Sequence, residues 1–151
     1  MNRFTISSVF PDVNVWLALS SPDHRHFPSA WSWYSALPDQ TVLYFCRFTQ
    51  LALLRLLTTQ SVMGPGTLTQ AQAWEAYDRW LEAAGAEFAE EPSGLESIFR
   101  SFTGAEQASP KEWADAYLAA FSLAIEMPLV TFDRALDRFA KKHGYPAVVP
   151  A

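Results

Sequence analysis

Three aspartates lie in stretches of the sequence that are otherwise almost entirely apolar. Asp12 interrupts the segment SVFPDVNVWLALS, and Asp133 directly follows the apolar segment PLVTF. Asp115 is followed by AYLAAFSLA, which leaves almost no polar face if this segment is helical. Because a carboxylate removed from water costs several kcal/mol unless a partner stabilises it, each of these acids requires a cation or hydrogen-bond donors nearby.

The chemistry that suits such a set of acids is the binding of a divalent cation. Clustered carboxylates repel one another, and a hard cation with oxygen ligands, such as Mg²⁺ or Mn²⁺, relieves that repulsion. Each acid alone also has a structural interpretation: Asp12 as a helix cap, Asp115 as the partner of a buried arginine, and Asp133 as the start of a turn. Since all three occur at the ends of apolar elements, a shared metal site is the favoured hypothesis.

The elements that must position these acids alternate between strands and helices. Apolar runs predict strands near Thr5–Phe10, at Thr41–Phe45, in AEFAEE, in PLVTF and in AVVP. Helical periodicity predicts helices from about Val13, in FPSAWSWYSAL, at Arg47–Thr58, at Thr69–Ala84, near Gly94–Phe102, in SPKEWADAYLAAFSLAIE and at Arg134–Lys142. The segment SVMGPG is predicted to be a loop because of its Gly and Pro residues. In the helix at Thr69–Ala84, the side chains predicted to be buried are Trp74, Tyr77 and Leu81.

This alternation is typical of an α/β fold, and it predicts one domain over residues 1–151. The centre of the domain is expected to be a mostly parallel sheet with helices on both faces. In such folds the carboxyl ends of the strands meet at one edge of the sheet, and ligands bind there. Asp12 and Asp133 both follow strands, so we expect them at that edge, together with Asp115.

The composition limits the class of protein. The chain has 151 residues and a formal net charge of −5, which counts against a simple electrostatic clamp for RNA or DNA. An acidic enzyme whose bound cations contact phosphate is still compatible with that charge. The single cysteine, Cys46, cannot form an internal disulfide, and no apolar segment is long enough to span a bilayer or to resemble a secretory signal. The expected location is therefore the cytoplasm.

Four segments together resemble the PIN-domain ribonucleases of the VapC toxin type. They are PDVNVWLAL, CRFTQLALLRLLT, SPKEWADAYLAAFSLA and LVTFDRALDRF, in this order and in register over nearly the whole chain. The resemblance implies a Mg²⁺- or Mn²⁺-dependent endoribonuclease that is neutralised by a VapB-type antitoxin. It also implies cleavage of structured RNA, of the tRNA or rRNA class, by attack of a metal-activated water, and it implies a homodimer.

The resemblance assigns roles to individual residues. Asp12, Asp115 and Asp133 match the family's acids, and they would be both the metal ligands and the catalytic residues. Many family members carry a fourth acid, a Glu, on the helix after the second strand, where this chain has Gln50. Gln50 has no charge, although its carbonyl oxygen can coordinate a metal or hold a ligating water, so the occupancy of a second metal site is in doubt. Asn14 is expected to orient Asp12 or a phosphate, or to cap the first helix.

Other polar residues have a functional and a structural interpretation. Arg55 and Arg47 flank Gln50, and each could contact RNA phosphate, a site carboxylate or an ordinary ion-pair partner. Asp137 is expected to pair with Lys141 at i+4, with an indirect role at the metal site as the alternative. His24 and His26 lie two residues apart, which is not the usual spacing of a helical metal pair, so a surface or capping role is favoured.

Two other classes of function compete with the ribonuclease interpretation. A phosphorylatable receiver domain would have paired acids near its first strand and a Lys at the end of a late strand, and PLVTFD offers no such Lys. The second class is a catalytically weak PIN-like domain that binds RNA or protein without cutting. The replacement of the fourth acid by Gln50 is the feature that favours this alternative.

Overall fold

The computed structural model of the chain describes residues 8–83, 85–143 and 150. The strands are β1 (Ser8–Pro11), β2 (Val42–Phe45), β3 (Ala86–Phe88) and β4 (Leu129–Val130). The helices are α1 (Val13–Ser20), α2 (Phe27–Ser35), α3 (Arg47–Leu57), α4 (Gln60–Met63), α5 (Gln70–Ala83), α6 (Leu95–Phe102), α7 (Glu112–Ala124) and α8 (Arg134–Lys142). Residues 5–7 of the predicted first strand and residues 147–149 of the predicted last strand lie outside the described residues.

The four strands form one parallel sheet in the order β3-β2-β1-β4. Ser8 pairs with Val42 across β1 and β2, and Pro11 pairs with Val130 across β1 and β4. Each connection between paired parallel strands contains at least one helix, as parallel pairing requires. The predicted α/β architecture is confirmed, and every strand pairing in the described part of the chain is parallel.

Both faces of the sheet are buried, because neighbouring side chains of a strand point to opposite faces. Val9 packs into a core on one face, with α1, α3 and α5, whereas Phe10 packs into a second core on the other face, with α6, α7 and α8. In the first core Trp16 stacks on Phe45 with 3.8 Å between the ring centroids. In the second core Phe10 stacks on Phe121 at 4.9 Å. The predicted helices on both faces therefore cover a sheet that is apolar on both sides.

The segment SVMGPG is not the predicted loop. Its first residues belong to α4, and Gly64–Gly66 form one turn of 3-10 helix. The backbone N–H groups of Val62 and Met63 donate to the carbonyl oxygen of Thr59, which starts this short helix. Gly64 ends it with a φ of 56°, a left-handed conformation that glycine adopts without strain. The Gly and Pro residues of this segment mark the end of a helix, so the loop predicted from them is wrong.

The predicted burial of α5 is confirmed at one position and wrong at another. Tyr77 is buried, and so is Ala73 four residues earlier on the same face. Trp74 follows Ala73, and its position about 100° around the helix leaves it 47% exposed. Leu81 is half-buried. Among the described residues, no helix has the length and apolar character that crossing a membrane requires.

Candidate active site

Asp12 lies at the carboxyl end of β1 and is the N-cap residue of α1. Its backbone N–H donates to the carbonyl oxygen of Val130 at 2.8 Å, which extends the pairing of β1 with β4 by one residue. Its side-chain Oδ1 accepts from the N–H of Val13 at 2.7 Å, and Oδ2 accepts from the Thr131 hydroxyl at 3.0 Å. Both carboxylate oxygens are therefore held in place, and Asp12 is only 6% exposed.

The charge of Asp12 is not neutralised by a cation of the protein. The pKa of Asp12 is raised from 3.8 to about 6, chiefly by burial and also by the negative charges of Asp133 and Asp115, against the lowering effect of the two hydrogen bonds. In residues 8–83 and 85–143, no Lys or Arg forms an ion pair with Asp12. The carboxyl group is thus buried with two neutral donors and with two other acids nearby, an arrangement that favours a proton or a bound cation.

Thr131 connects two of the three acids. Its hydroxyl donates to Asp12 and accepts from the backbone N–H of Asp133 at 2.9 Å, and the residue is completely buried. Asp133 is the N-cap of α8, and its Oδ1 accepts from the N–H groups of Ala135 and Leu136. We did not single out Thr131 from the sequence. The sequence feature that points to Thr131 is its hydroxyl group in the otherwise apolar segment PLVTF, two residues before Asp133.

Asp115 lies in the first turns of α7 and is half-buried. Burial raises the pKa of its carboxyl group, and the negative charges of Asp133 and Glu112 raise it further. The three predicted acids therefore lie within one another's electrostatic influence. No three His, Cys, Asp or Glu side chains in the described ranges lie in the arrangement of a ready metal-binding group. Binding of a shared cation would consequently require Asp115 and the exposed Asp133 to turn towards Asp12.

The structural role considered for Asp12 exists, because Asp12 caps α1, and Asp133, considered as the start of a turn, is the N-cap of α8. A helix N-terminus carries a partial positive charge, which stabilises an acid at this position. Oδ1 of Asp133 accepts from two backbone N–H groups, whereas each oxygen of Asp12 accepts from a single donor. A carboxylate oxygen with one donor has further acceptor capacity. The oxygen donors and the unneutralised charge therefore fit a hard cation such as Mg²⁺.

Asn14 holds in place the turn that precedes Asp133. Its Oδ1 accepts from the backbone N–H of Phe132 at 3.3 Å. This bond ties the first turn of α1 to the residue between Thr131 and Asp133. The role of Asn14 in the structure is thus to hold this turn in place, and the side chain does not cap α1, whose N-cap is Asp12.

Gln50 is buried, and its carbonyl oxygen has a strong donor within the protein. Oε1 accepts from Nη1 of Arg47 at 2.6 Å, and the guanidinium group of Arg47 lies 4.7 Å from the ring centroid of Phe88. Tyr77 also contacts Gln50, since a hydrogen bond from Gln50 partly offsets the rise in the pKa of Tyr77 that burial causes. The oxygen through which Gln50 could coordinate a metal is therefore already engaged.

We expect Gln50→Glu to tighten Mg²⁺ binding only when Arg47 is also replaced. In the single variant the new carboxylate would pair with Arg47, so Mg²⁺ affinity should change less than about twofold. In the double variant with Arg47→Ala, the free charge should raise the affinity by roughly tenfold, if position 50 reaches the acids. Calorimetric titration with Mg²⁺ would measure both, with Arg47→Ala alone as the control. No gain in the double variant would place position 50 outside the metal site.

Three other predicted polar residues lie apart from the acids or pair elsewhere. Arg55 is exposed on α3 and lines a shallow cleft between α3 and α5 with Trp74. The predicted pair of Asp137 and Lys141 is confirmed, with Oδ2 and Nζ 3.1 Å apart. Nδ1 of His24 accepts from the backbone N–H of His26 at 3.0 Å, and His26 is the N-cap residue of α2, which has no side-chain cap.

Comparison with known proteins supports the fold and the family resemblance. The family model described as PIN domain matches residues 9–142. Ribonuclease VapC41 of Mycobacterium tuberculosis, found in two strains, is 41% identical over 136 residues, which cover 85% of this chain and 90% of the relative. The family-model match therefore spans all three acids, and the match to the relative covers most of both proteins.

Solved structures share the fold at low sequence identity. VapC20 of Mycobacterium tuberculosis, described as a toxin that cleaves the sarcin-ricin loop, superposes with a TM-score of 0.63 at 15% identity, over 94% of this chain and 99% of that one. FitAcB of Neisseria gonorrhoeae gives 0.60 at 17% identity, over 95% and 96%. PAE2754 of Pyrobaculum aerophilum gives 0.58 at 19% identity, over 96% and 84%. At these identities the likeness concerns the fold alone.

Proposed function

Because this chain belongs to the PIN domain family and is a homologue of VapC ribonuclease toxins, we propose that it is a Mg²⁺- or Mn²⁺-dependent endoribonuclease of a toxin–antitoxin system. The observation that supports this most is the state of Asp12. Its carboxyl group is buried at the carboxyl edge of a parallel sheet, beside two further acids and without an ion pair to any Lys or Arg in the described part of the chain. A structural role alone does not require three acids within one another's field.

The residues that would hold the cation are Asp12, Asp115 and Asp133, through carboxylate oxygens. When bound, Mg²⁺ or Mn²⁺ supplies the positive charge that offsets the phosphate and activates a water for in-line attack. Thr131 and the N–H of Val13 orient the two oxygens of Asp12 before any ligand arrives. Such outer hydrogen bonds are worth about 10–100-fold in metal affinity or activity at comparable sites.

The proposed substrate is structured RNA of the tRNA or rRNA class, and the proposed location of the activity is the cytoplasm. VapC20 is described as cutting one such RNA element, the sarcin-ricin loop. For this chain, the relationship to VapC41 supports ribonuclease activity, and the particular RNA is a matter for experiment.

The proposed partners are a VapB-type antitoxin and a second copy of the chain in a homodimer. An acidic pocket of this kind accepts a guanidinium group, whose planar fork matches a carboxylate. FitAcB and a FitAB complex bound to a DNA fragment are among the solved structures with this fold. The antitoxin would thus compete with the metal for the same oxygens.

The catalytically weak binding domain is the second candidate. It is favoured by Gln50, which lacks the charge of a fourth acid and gives its oxygen to Arg47. In that case the protein would bind RNA or a protein without cutting.

Incubation of the purified protein with tRNA and rRNA separates the two candidates. We expect cleavage with Mg²⁺ or Mn²⁺, no cleavage with EDTA, and inhibition by the small protein encoded beside this one, which excess Mg²⁺ should weaken. The products can be resolved by gel electrophoresis. Intact RNA with both metals would reject the ribonuclease proposal in favour of the binding domain.

A further inference from the structure

A groove of about 350 Å³ between α7 and α8 opens next to one of the acids. Its walls include Asp115 and three cationic side chains, Lys111, Arg138 and Lys142. We call it the basic groove. Asp115 lines this groove, so the groove begins at the acids. A ligand that extends from the acids along this side of the domain would therefore enter the basic groove.

The cations of the basic groove are free to bind a ligand. Lys111, Arg138 and Lys142 are exposed, and within the described residues none of them forms an ion pair. Lys141, their neighbour on α8, is in contrast engaged with the buried Asp137. The three cations are therefore not used for an ion pair that stabilises the fold.

The arrangement on α8 repeats a positive charge at a regular interval. Arg134, Arg138 and Lys142 are spaced by four residues, so they lie on one face of the helix and are separated by roughly 6 Å along its axis. This interval is comparable to the distance between neighbouring phosphate groups along one RNA strand. Arg134 directly follows Asp133, so the row of charges starts beside the acids and leads away from them.

The charge of the whole protein makes this surface unusual. The chain carries −5 overall with eleven Lys and Arg residues, and four of those eleven, Lys111 and the three on α8, line or adjoin the groove. Glu112 also lines it, at the end near Asp115. A polyanion that places one phosphate at the acids would be repelled by the rest of this negatively charged protein. It would be attracted along the basic groove.

We propose that the basic groove binds the sugar–phosphate backbone of the RNA strand that flanks the cleavage point, independently of base sequence. The proposal rests on the proposed ribonuclease function and specifies how that site holds its substrate. Contacts between cations and phosphates position a nucleic acid without reading its sequence. An acidic protein segment is the other polyanion that this groove could accept, and it becomes an outcome of the test.

The test is the salt dependence of RNA binding by the double variant Arg138→Gln/Lys142→Gln. Binding of a fluorescein-labelled single-stranded oligoribonucleotide would be followed by fluorescence anisotropy in EDTA, which keeps the probe intact. Each phosphate contact to a single strand contributes about 0.7 to the slope of log K against log salt, so two lost contacts should lower the slope by about 1.4. At about 0.15 M salt this corresponds to roughly tenfold weaker binding.

Arg79→Gln is the matched control, because Arg79 is an exposed cation on α5, which packs on the opposite face of the sheet. Its binding and its slope should equal those of the unmodified protein. Circular dichroism of the double variant should show an unchanged fold, since both side chains are exposed.

The outcomes distinguish a failure of the groove proposal from a failure of the ribonuclease proposal. If the unmodified protein cleaves RNA and the double variant binds the probe with an unchanged slope, the groove proposal is wrong and the ribonuclease proposal stands. If only the affinity for the antitoxin falls in the double variant, the groove holds an acidic protein segment and the RNA assignment is overturned. If the unmodified protein neither binds nor cuts RNA, both proposals fail.

Discussion

Replacement of Asp12 by Asn is expected to lower metal-dependent RNA cleavage by at least about a hundredfold. The loss of a hydrogen-bonding partner behind a metal ligand already costs about 10–100-fold, and Asp12 is proposed as a ligand itself. Asn has nearly the same shape, and it keeps one oxygen for the N–H of Val13 and an amide that can contact Thr131. The fold should therefore survive while the charge that holds the cation is lost.

Initial rates of cleavage with Mn²⁺ on one labelled RNA would measure this effect. Asp78→Asn provides the control, because Asp78 is an exposed acid on α5, on the other face of the sheet from α7 and α8. The control should keep the rate of the unmodified protein. Cleavage by Asp12→Asn within about threefold of that rate would mean that Asp12 is a helix cap and not a ligand.

The positions of the acids were predictable because they depend on local pattern and on one topological rule. The change from strand to helix at Asp12 follows from the change in periodicity on either side of it. The carboxyl ends of parallel strands lie at one edge of the sheet, and this rule predicts that Asp133 lies near Asp12. Both residues therefore occupy the edge that the sequence indicated, and the contribution of the Asp133 charge to the raised pKa of Asp12 agrees with that position.

The surroundings of the acids were less predictable, since they depend on which side chains meet in space. Thr131 was read as one more strand residue, because Thr favours strands through its branched side chain. The guanidinium group of Arg47, which donates to Gln50, also lies over the ring of Phe88, a residue about forty positions later in the chain. The resemblance to the family pointed to Gln50 as a site residue and gave no sign that Arg47 would engage its oxygen.

Exposure of aromatic residues was the least predictable feature of the fold. The aromatic side chains of α2 have spacings that suit one buried face, yet Trp31 is 44% exposed and the completely buried residue of that helix is Ala30. This helix has nine residues and packs against α1, so only a narrow stripe of its surface is in contact with the core. The hydrophobic periodicity indicates which side of the helix faces the core. It does not indicate how much of that side the neighbouring elements cover.

The charge of Asp12 should also make the metal-free protein less stable at neutral pH than at mildly acidic pH. The folded state raises the pKa of Asp12 from 3.8 to about 6, so the folded protein prefers the neutral acid. A group with a raised pKa contributes stability that is complete below the unfolded value and is lost as the pH rises through the folded value. Between about pH 4 and pH 6, this one group should therefore lower the free energy of unfolding by on the order of 3 kcal/mol.

The variant Asp12→Asn isolates this contribution, because Asn cannot ionise whereas every other acid titrates as before. In EDTA the variant should be more stable than the unmodified protein at pH 7.5, and most of that advantage should vanish at pH 4.5. Urea unfolding followed by tryptophan fluorescence would measure both differences. Mg²⁺ at pH 7.5 should raise the stability of the unmodified protein and raise that of the variant much less, since the variant lacks the buried charge of Asp12 that the cation offsets. An advantage of equal size at both pH values would mean that the charge of Asp12 is not the cause, and the case for a cation at this carboxylate would then be lost.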